Sequence, residues 1–173
     1  MSTVRPATLD DVPELVRHRE LLFTAMGRDM SGPAEWRDAT VHTLKEALGG
    51  DSMAVFVVDG QVDGEVDGEV DGRVDGQRNG RPGLAASGIG VIDRRLPGPE
   101  TPNGRWGHIS GMVTDPRHRR KGHARAIMTE LLAWFYAHEV RRIEMNATPD
   151  GDALYREFGF TEHHATALTW TAR

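Results

Sequence analysis

The chain of 173 residues contains no cysteine, which excludes disulfides, thiolate metal sites and a cysteine nucleophile. It also lacks any apolar run near the ~18–20 residues that a bilayer crossing needs. Its opening, MSTVRPATLDDVPELV, reaches proline and acid without the apolar stretch of a secretion signal. The expectation is a soluble cytoplasmic domain with no membrane partner. Acidic residues outnumber basic ones, 26 to 21. The net charge is −5, the wrong sign for a general nucleic-acid binder. All of that excess sits in one place: residues 58–77 hold Asp59, Asp63, Glu65, Asp67, Glu69, Asp71 and Asp75 against the single base Arg73. The remainder of the chain is close to neutral.

That acidic segment is a tetrapeptide repeated five times, VDGQ, VDGE, VDGE, VDGR, VDGQ. A period of four suits neither strand nor helix, and a glycine in each unit weakens both. Its isolated valines cannot offset the entropy of ordering it. The ligand spacing and closing glutamate of a calcium loop are missing. The segment therefore reads as a low-complexity loop insert over 58–80, in one domain spanning 1–173, and it should tolerate deletion.

Around the insert, structural signals alternate. Leu9, Val12, Leu15, Val16, Leu22, Phe23 and Met26 fall at helical spacing, with Asp10 or Asp11 available as cap. Residues 34–48 predict a second helix, ended by Gly49-Gly50. MAVFVV (53–58) and LAASGIGVI (84–92) predict a hairpin with the repeat at its tip. RWGHISGMVT (105–114) reads as a strand whose glycines permit a bulge. Ala124, Ile127, Met128, Leu131, Leu132 and Phe135 mark one face of a long helix. A strand at 142–147, a short helix at 152–158 and a last strand near 167–170 complete an α/β (α+β) domain, a central sheet flanked by helices.

Between strand 105–114 and the long helix lies DPRHRRKGHAR. Asp115-Pro116 closes the strand, because proline cannot continue a ladder. Arg117, Arg119, Arg120, Lys121 and Arg125 then crowd into nine positions at a helix N-terminus. Cations there oppose the helix macrodipole. A bound anion would remove the conflict, meeting backbone N–H groups, dipole and guanidinium groups together, with Gly122 allowing close approach. Neither GxxxxGK(S/T) nor GxGxxG is present, so the P-loop and dinucleotide fingerprints do not account for it.

Val113-Thr114-Asp115-Pro116 followed by Arg119-Arg120-Lys121-Gly122-His123-Ala124 resembles motif A of the GNAT acetyltransferase superfamily, where R/Q-x-x-G-x-G/A wraps the coenzyme A pyrophosphate. Ala153-Leu154-Tyr155-Arg156-Glu157-Phe158-Gly159-Phe160 is similar to a second family element near the C-terminus, ALYxxxGF. The two lie in family order about 30 residues apart. Element order extends the resemblance over roughly residues 3–170, and it is specific over 105–160. The chain departs from the family in the swollen hairpin and in lacking the Asn-containing segment that some ribosomal-protein acetyltransferases carry before Tyr155.

The resemblance implies a GNAT-like mixed sheet and acetyl-CoA as co-substrate. It implies that Met112, Val113 and Thr114 pair through their backbone with the pantetheine arm, one N–H polarising the thioester carbonyl. Arg119, Arg120, Lys121, Gly122, His123, Ala124 and Arg125 would hold the pyrophosphate. The acceptor would be an amine of a small molecule or peptide, and a homodimer is compatible with the family. Met26 to Met30 falls where the family builds its acceptor pocket, or is simply a turn ending a helix at Gly27.

An alkylamine is protonated at neutral pH, so a base must take a proton before attack. Glu144 and His108 are the candidates; each is also readable as an ordinary strand residue. Tyr155 is the candidate acid for the departing thiolate, its alternative being a core tyrosine. Tyr136 reads as structural, and Trp36, Trp106, Trp134 and Trp170 as core or rim aromatics. His163-His164 and the pair His118/His123 match no closed zinc set. Two rival functions remain: a non-catalytic acetyl-CoA sensor, and a nucleic-acid module using residues 117–125, which the near-neutral domain disfavours.

Overall fold

A computed structural model describes residues 3–30, 34–60, 83–163 and 168–171. Five strands form one sheet in sequence order: β1 (Val4–Pro6), β2 (Met53–Asp59), β3 (Leu84–Arg94), β4 (Arg105–Thr114) and β5 (Arg142–Met145). β1 to β4 pair antiparallel, while β5 runs parallel to β4. The parallel step requires a crossover, and the long helix α3 (His123–Ala137) supplies it.

α3 covers one face. Ile127, Met128, Leu131 and Phe135 are fully buried, each contributing about 1.5–3 kcal/mol of apolar burial. Tyr155, on α4 (Pro149–Glu157), joins the same core. The other face carries α1 (Val12–Ala25) and α2 (Glu35–Ala47). There Val12, Leu15 and Leu44 pack on Val55, Val57, Leu84 and Ile89. No helix among the described residues is long and apolar enough to cross a membrane.

The predicted fold class and hairpin are present, and several expectations need correction. β1 has too few residues to show a period, and went unread. Leu9 lies in a 3-10 turn before α1 and is exposed, as is Met26 beyond its end. Asp11 does not cap α1 through its side chain. Its carboxylate instead accepts from the Thr8 N–H (2.7 Å) and from Arg5. β5 is shorter than expected because Pro149, preset for a first helical position, starts α4 early. Residues 168–170 are not a strand, and Leu168 and Trp170 stand exposed; residue 167 lies outside the described residues.

The repeat also begins inside the sheet. Val58 is buried between Val4 and Ala86, and Asp59 accepts from Arg5 (2.6 Å). Gly60 N–H to Gly83 C=O (2.7 Å) closes the ladder. Residues 61–82, most of the insert, lie outside the described residues.

Candidate active site

β4 pairs with β5 only from Trp106 to Ile109. Past Ile109 the edge of β4 facing β5 has no strand partner among the described residues, while its other edge still pairs with β3 as far as Thr114. Met112, Val113 and Thr114 thus stand on a half-open backbone edge, the kind that extended ligands complete. The register slips between Ser87 and Ile89, so β4 carries one extra residue there. Gly111, at φ +62°, supplies the left-handed conformation of this bulge, as its glycines suggested.

At the end of β4 the chain is anchored by Asp115, 2% exposed. Its carboxylate accepts from the Arg117 N–H (3.0 Å), the Arg117 side chain (3.2 Å) and Arg17 of α1 (2.8 Å). Burial works against ionisation, yet the bonds from Arg117 and Arg17 hold this carboxyl well below the usual range. Arg17 also donates to Leu84 C=O. The next residue, His18, is buried against Ser87 Oγ (2.8 Å) and Leu84 C=O (3.1 Å). Burial, then the Arg17 charge, lowers its pKa to about 4. Ser87 is the register partner of Val113, so this network supports the open edge from behind. No local pattern signals this network, because Arg17 and Asp115 are 98 residues apart.

The loop then turns twice through the left-handed region, at Arg120 (φ 63°) and Gly122 (φ 80°). Gly122 is the N-cap of α3, with no side-chain cap and no acid in the first turn. The first N–H to find a helical acceptor is that of Ala126, bonded to Gly122 C=O (3.1 Å). The earlier N–H groups of the turn are not spent within the helix. A Cβ on Gly122 would meet nothing within 4 Å, so the space above it is open and φ is what demands glycine.

Of the cations, Arg117 is tied to Asp115 and Arg125 to Glu157 (2.5 Å). Arg119, Arg120 and Lys121 have no carboxylate partner among the described residues. His123 is held below the usual imidazole value by burial, then by the charges of His118 and Lys121. Lys121, Gly122 and Arg125 line one end of a shallow groove of about 400 Å³ along the start of α3.

The three proton-transfer candidates divide across the sheet. His108 and Glu144 are register partners on adjacent parallel strands, so they share a face and stand about 4.8 Å apart along the sheet. Their face is that of α1, because the alternate residues Ile109, Ile143 and Met145 pack into the α3 core. Glu144 makes long ion pairs with Arg142 (3.4 Å) and Arg95 (3.5 Å). Arg95 and Arg142 in turn stack on Trp106, at 4.1 and 4.7 Å from its centroid. Tyr155 lies on the opposite face, 9% exposed and edge-on to Phe160. Burial raises its pKa, so the phenol keeps its proton at neutral pH. Tyr136, by contrast, is exposed on α3.

Residues 20–160 match the model of the acetyltransferase (GNAT) family. No curated protein matches the chain. Among solved structures, a predicted acetyltransferase from Clostridium acetobutylicum, solved with acetyl-CoA, superposes with a TM-score of 0.76 at 17% identity, over 98% of this chain and 96% of that one. A GCN5-related N-acetyltransferase from Ralstonia eutropha gives 0.74 at 24% identity, covering 98% and 99%. A glucosamine-6-phosphate N-acetyltransferase from Arabidopsis thaliana gives 0.67 at 14%, covering 99% of each. At these identities the likeness is one of fold.

Proposed function

This chain belongs to the GNAT acetyltransferase family, whose donor is acetyl-CoA, and we propose that it transfers the acetyl group to a primary amine of a small molecule or peptide. The observation that carries the reading is the first turn of α3: a left-handed Gly122, free cations at Arg119, Arg120 and Lys121, and no acid. That arrangement lacks an anion, and the coenzyme's pyrophosphate supplies one. Arg125, His123 and Ala124 complete the cradle. The pantetheine arm runs along the open edge of Met112 to Thr114 as an added strand.

The opening between β4 and β5 separates the candidate base from the candidate acid. The amine approaches from the α1 face, where His108 or Glu144 takes its proton. Nitrogen attacks the thioester carbonyl, and a backbone N–H near the bulge stabilises the oxyanion. Collapse breaks the C–S bond, and Tyr155, protonated in its buried setting, returns a proton to the leaving thiolate.

Thiol release from acetyl-CoA over a panel of amines tests this. Tyr155→Phe is expected to lower kcat by ~10²-fold with coenzyme affinity retained; an unchanged kcat removes Tyr155 from the chemistry. Comparing His108→Gln with Glu144→Gln assigns the base, since only its loss abolishes the rise of kcat/KM with pH. Tight acetyl-CoA binding without turnover of any amine would instead favour a sensor.

A further inference from the structure

Among the described residues, one buried side-chain nitrogen or oxygen has no hydrogen-bond partner: Nε of Arg19, on α1. No carboxylate among the described residues pairs with this guanidinium, and burial lowers its pKa. No hydrogen bond of its Nη groups is found among the described residues. The guanidinium carbon lies 5.0 Å from the Phe23 ring centroid.

A second cation converges on the same ring. Gly27, at φ +69°, ends α1 and folds the chain back so that the Arg28 N–H bonds Phe23 C=O (3.0 Å). The Arg28 guanidinium then lies 5.5 Å from the Phe23 centroid. It too has no carboxylate partner among the described residues. Trp36 of α2 packs edge-on to Phe23 at 5.4 Å and fixes the ring. Neighbouring arginines differ: Arg17 has Glu14 and Asp115, and Arg37 has Glu20. Arg19, half-desolvated with no anion among the described residues, is costly as it stands, and Arg28 brings a second guanidinium to the same ring.

Their position connects them to the reaction. α1 packs across β3 and β4, on the face that carries His108 and Glu144. Building on the acetyl-transfer reading above, we infer that the acceptor amine carries a compact anionic group, carboxylate or phosphate, which Arg19 and Arg28 bind across Phe23. Guanidinium groups match both anions through paired N–H donors.

The test is thiol release with matched amines: glycine and β-alanine against their amides, and O-phosphoethanolamine against ethanolamine. The expected result is a kcat/KM at least about tenfold higher for the anionic member of one class, and the class that shows it identifies the anion. Arg19→Gln and Arg28→Gln should each bring that ratio towards one by raising the acceptor KM, with calorimetric acetyl-CoA affinity unchanged. Arg19→Lys should restore part of the preference. Arg28 is exposed, so its substitution does not endanger the fold. Equal rates within every pair, a preference that survives both substitutions, or no anionic amine accepted by a protein that binds acetyl-CoA would each overturn the inference. Failure of the parent to bind acetyl-CoA would instead count against the donor site.

Discussion

The proposed donor side and the proposed acceptor side of this molecule are built differently. On the proposed donor side, recognition would fall to backbone: the open edge of β4, the bulge at Gly111 and the unspent N–H groups at the start of α3. Side chains there mostly hold the backbone in shape, as Asp115 does between Arg17 and Arg117. On the proposed acceptor side, side chains from several segments would do the work. His108 and Glu144 meet through strand register, and Arg19 and Phe23, one turn apart on α1, are joined by Arg28 from beyond its end and Trp36 from α2. A backbone site requires particular residue types at fixed offsets; a side-chain site can be varied while the fold persists.

The largest effect should come from breaking the donor side at its anchor. Asp115→Ala leaves the Arg17 guanidinium half-buried beside a lost partner, and should cost ~3–5 kcal/mol of stability. The KM for acetyl-CoA should rise more than kcat falls. Denaturant melts and steady-state kinetics check both; unaltered coenzyme KM in the folded variant would show that the loop holds its shape without this carboxylate.

Acid should act on the same region through His18. Its folded pKa of about 4 lies below the ordinary 6.5, so the unfolded chain binds the proton more readily. This contribution is complete above ~6.5 and is lost as pH falls from ~6.5 to ~4, by about 3 kcal/mol in all. Stability followed against pH should show that slope, and His18→Asn should flatten it. A parent curve flat across this window would mean that the imidazole is not held neutral.

The smallest effect belongs to the insert. Deleting residues 61–82 and joining the hairpin with a short turn should change stability by less than ~1 kcal/mol, because the ladder already closes at Gly60 and Gly83. A large loss of acetyl-CoA affinity or of folding would give the repeat a role that its composition does not suggest.

The same division explains what could be read in advance. The long apolar face of α3 and the alternating strands announced the sheet and its crossover, and the crowding of cations before Gly122 pointed to the proposed anion site. Local chemistry sufficed, because the conflict with the helix dipole is itself local. The three residues of β1 and the residues supporting the loop were not legible. The bonds from Arg17 to Asp115 and from His18 to Ser87 join positions separated by 98 and 69 residues. The final strand failed for the opposite reason: ALTW has strand composition, but Leu168 and Trp170 lie exposed, and composition alone cannot supply a pairing partner. Glu144 and His108 were each named singly, and only the parallel register made them neighbours.

Calorimetric titration of acetyl-CoA into the parent and into Gly122→Glu tests the donor site most directly. The added carboxylate would enter open space above the first turn of α3, where the pyrophosphate is placed, and glutamate at φ 80° is itself strained. The account predicts micromolar binding by the parent and a loss of about 10²-fold or more in a variant that still folds. Equal affinity in the two proteins, or no binding by the parent at millimolar coenzyme, would contradict it.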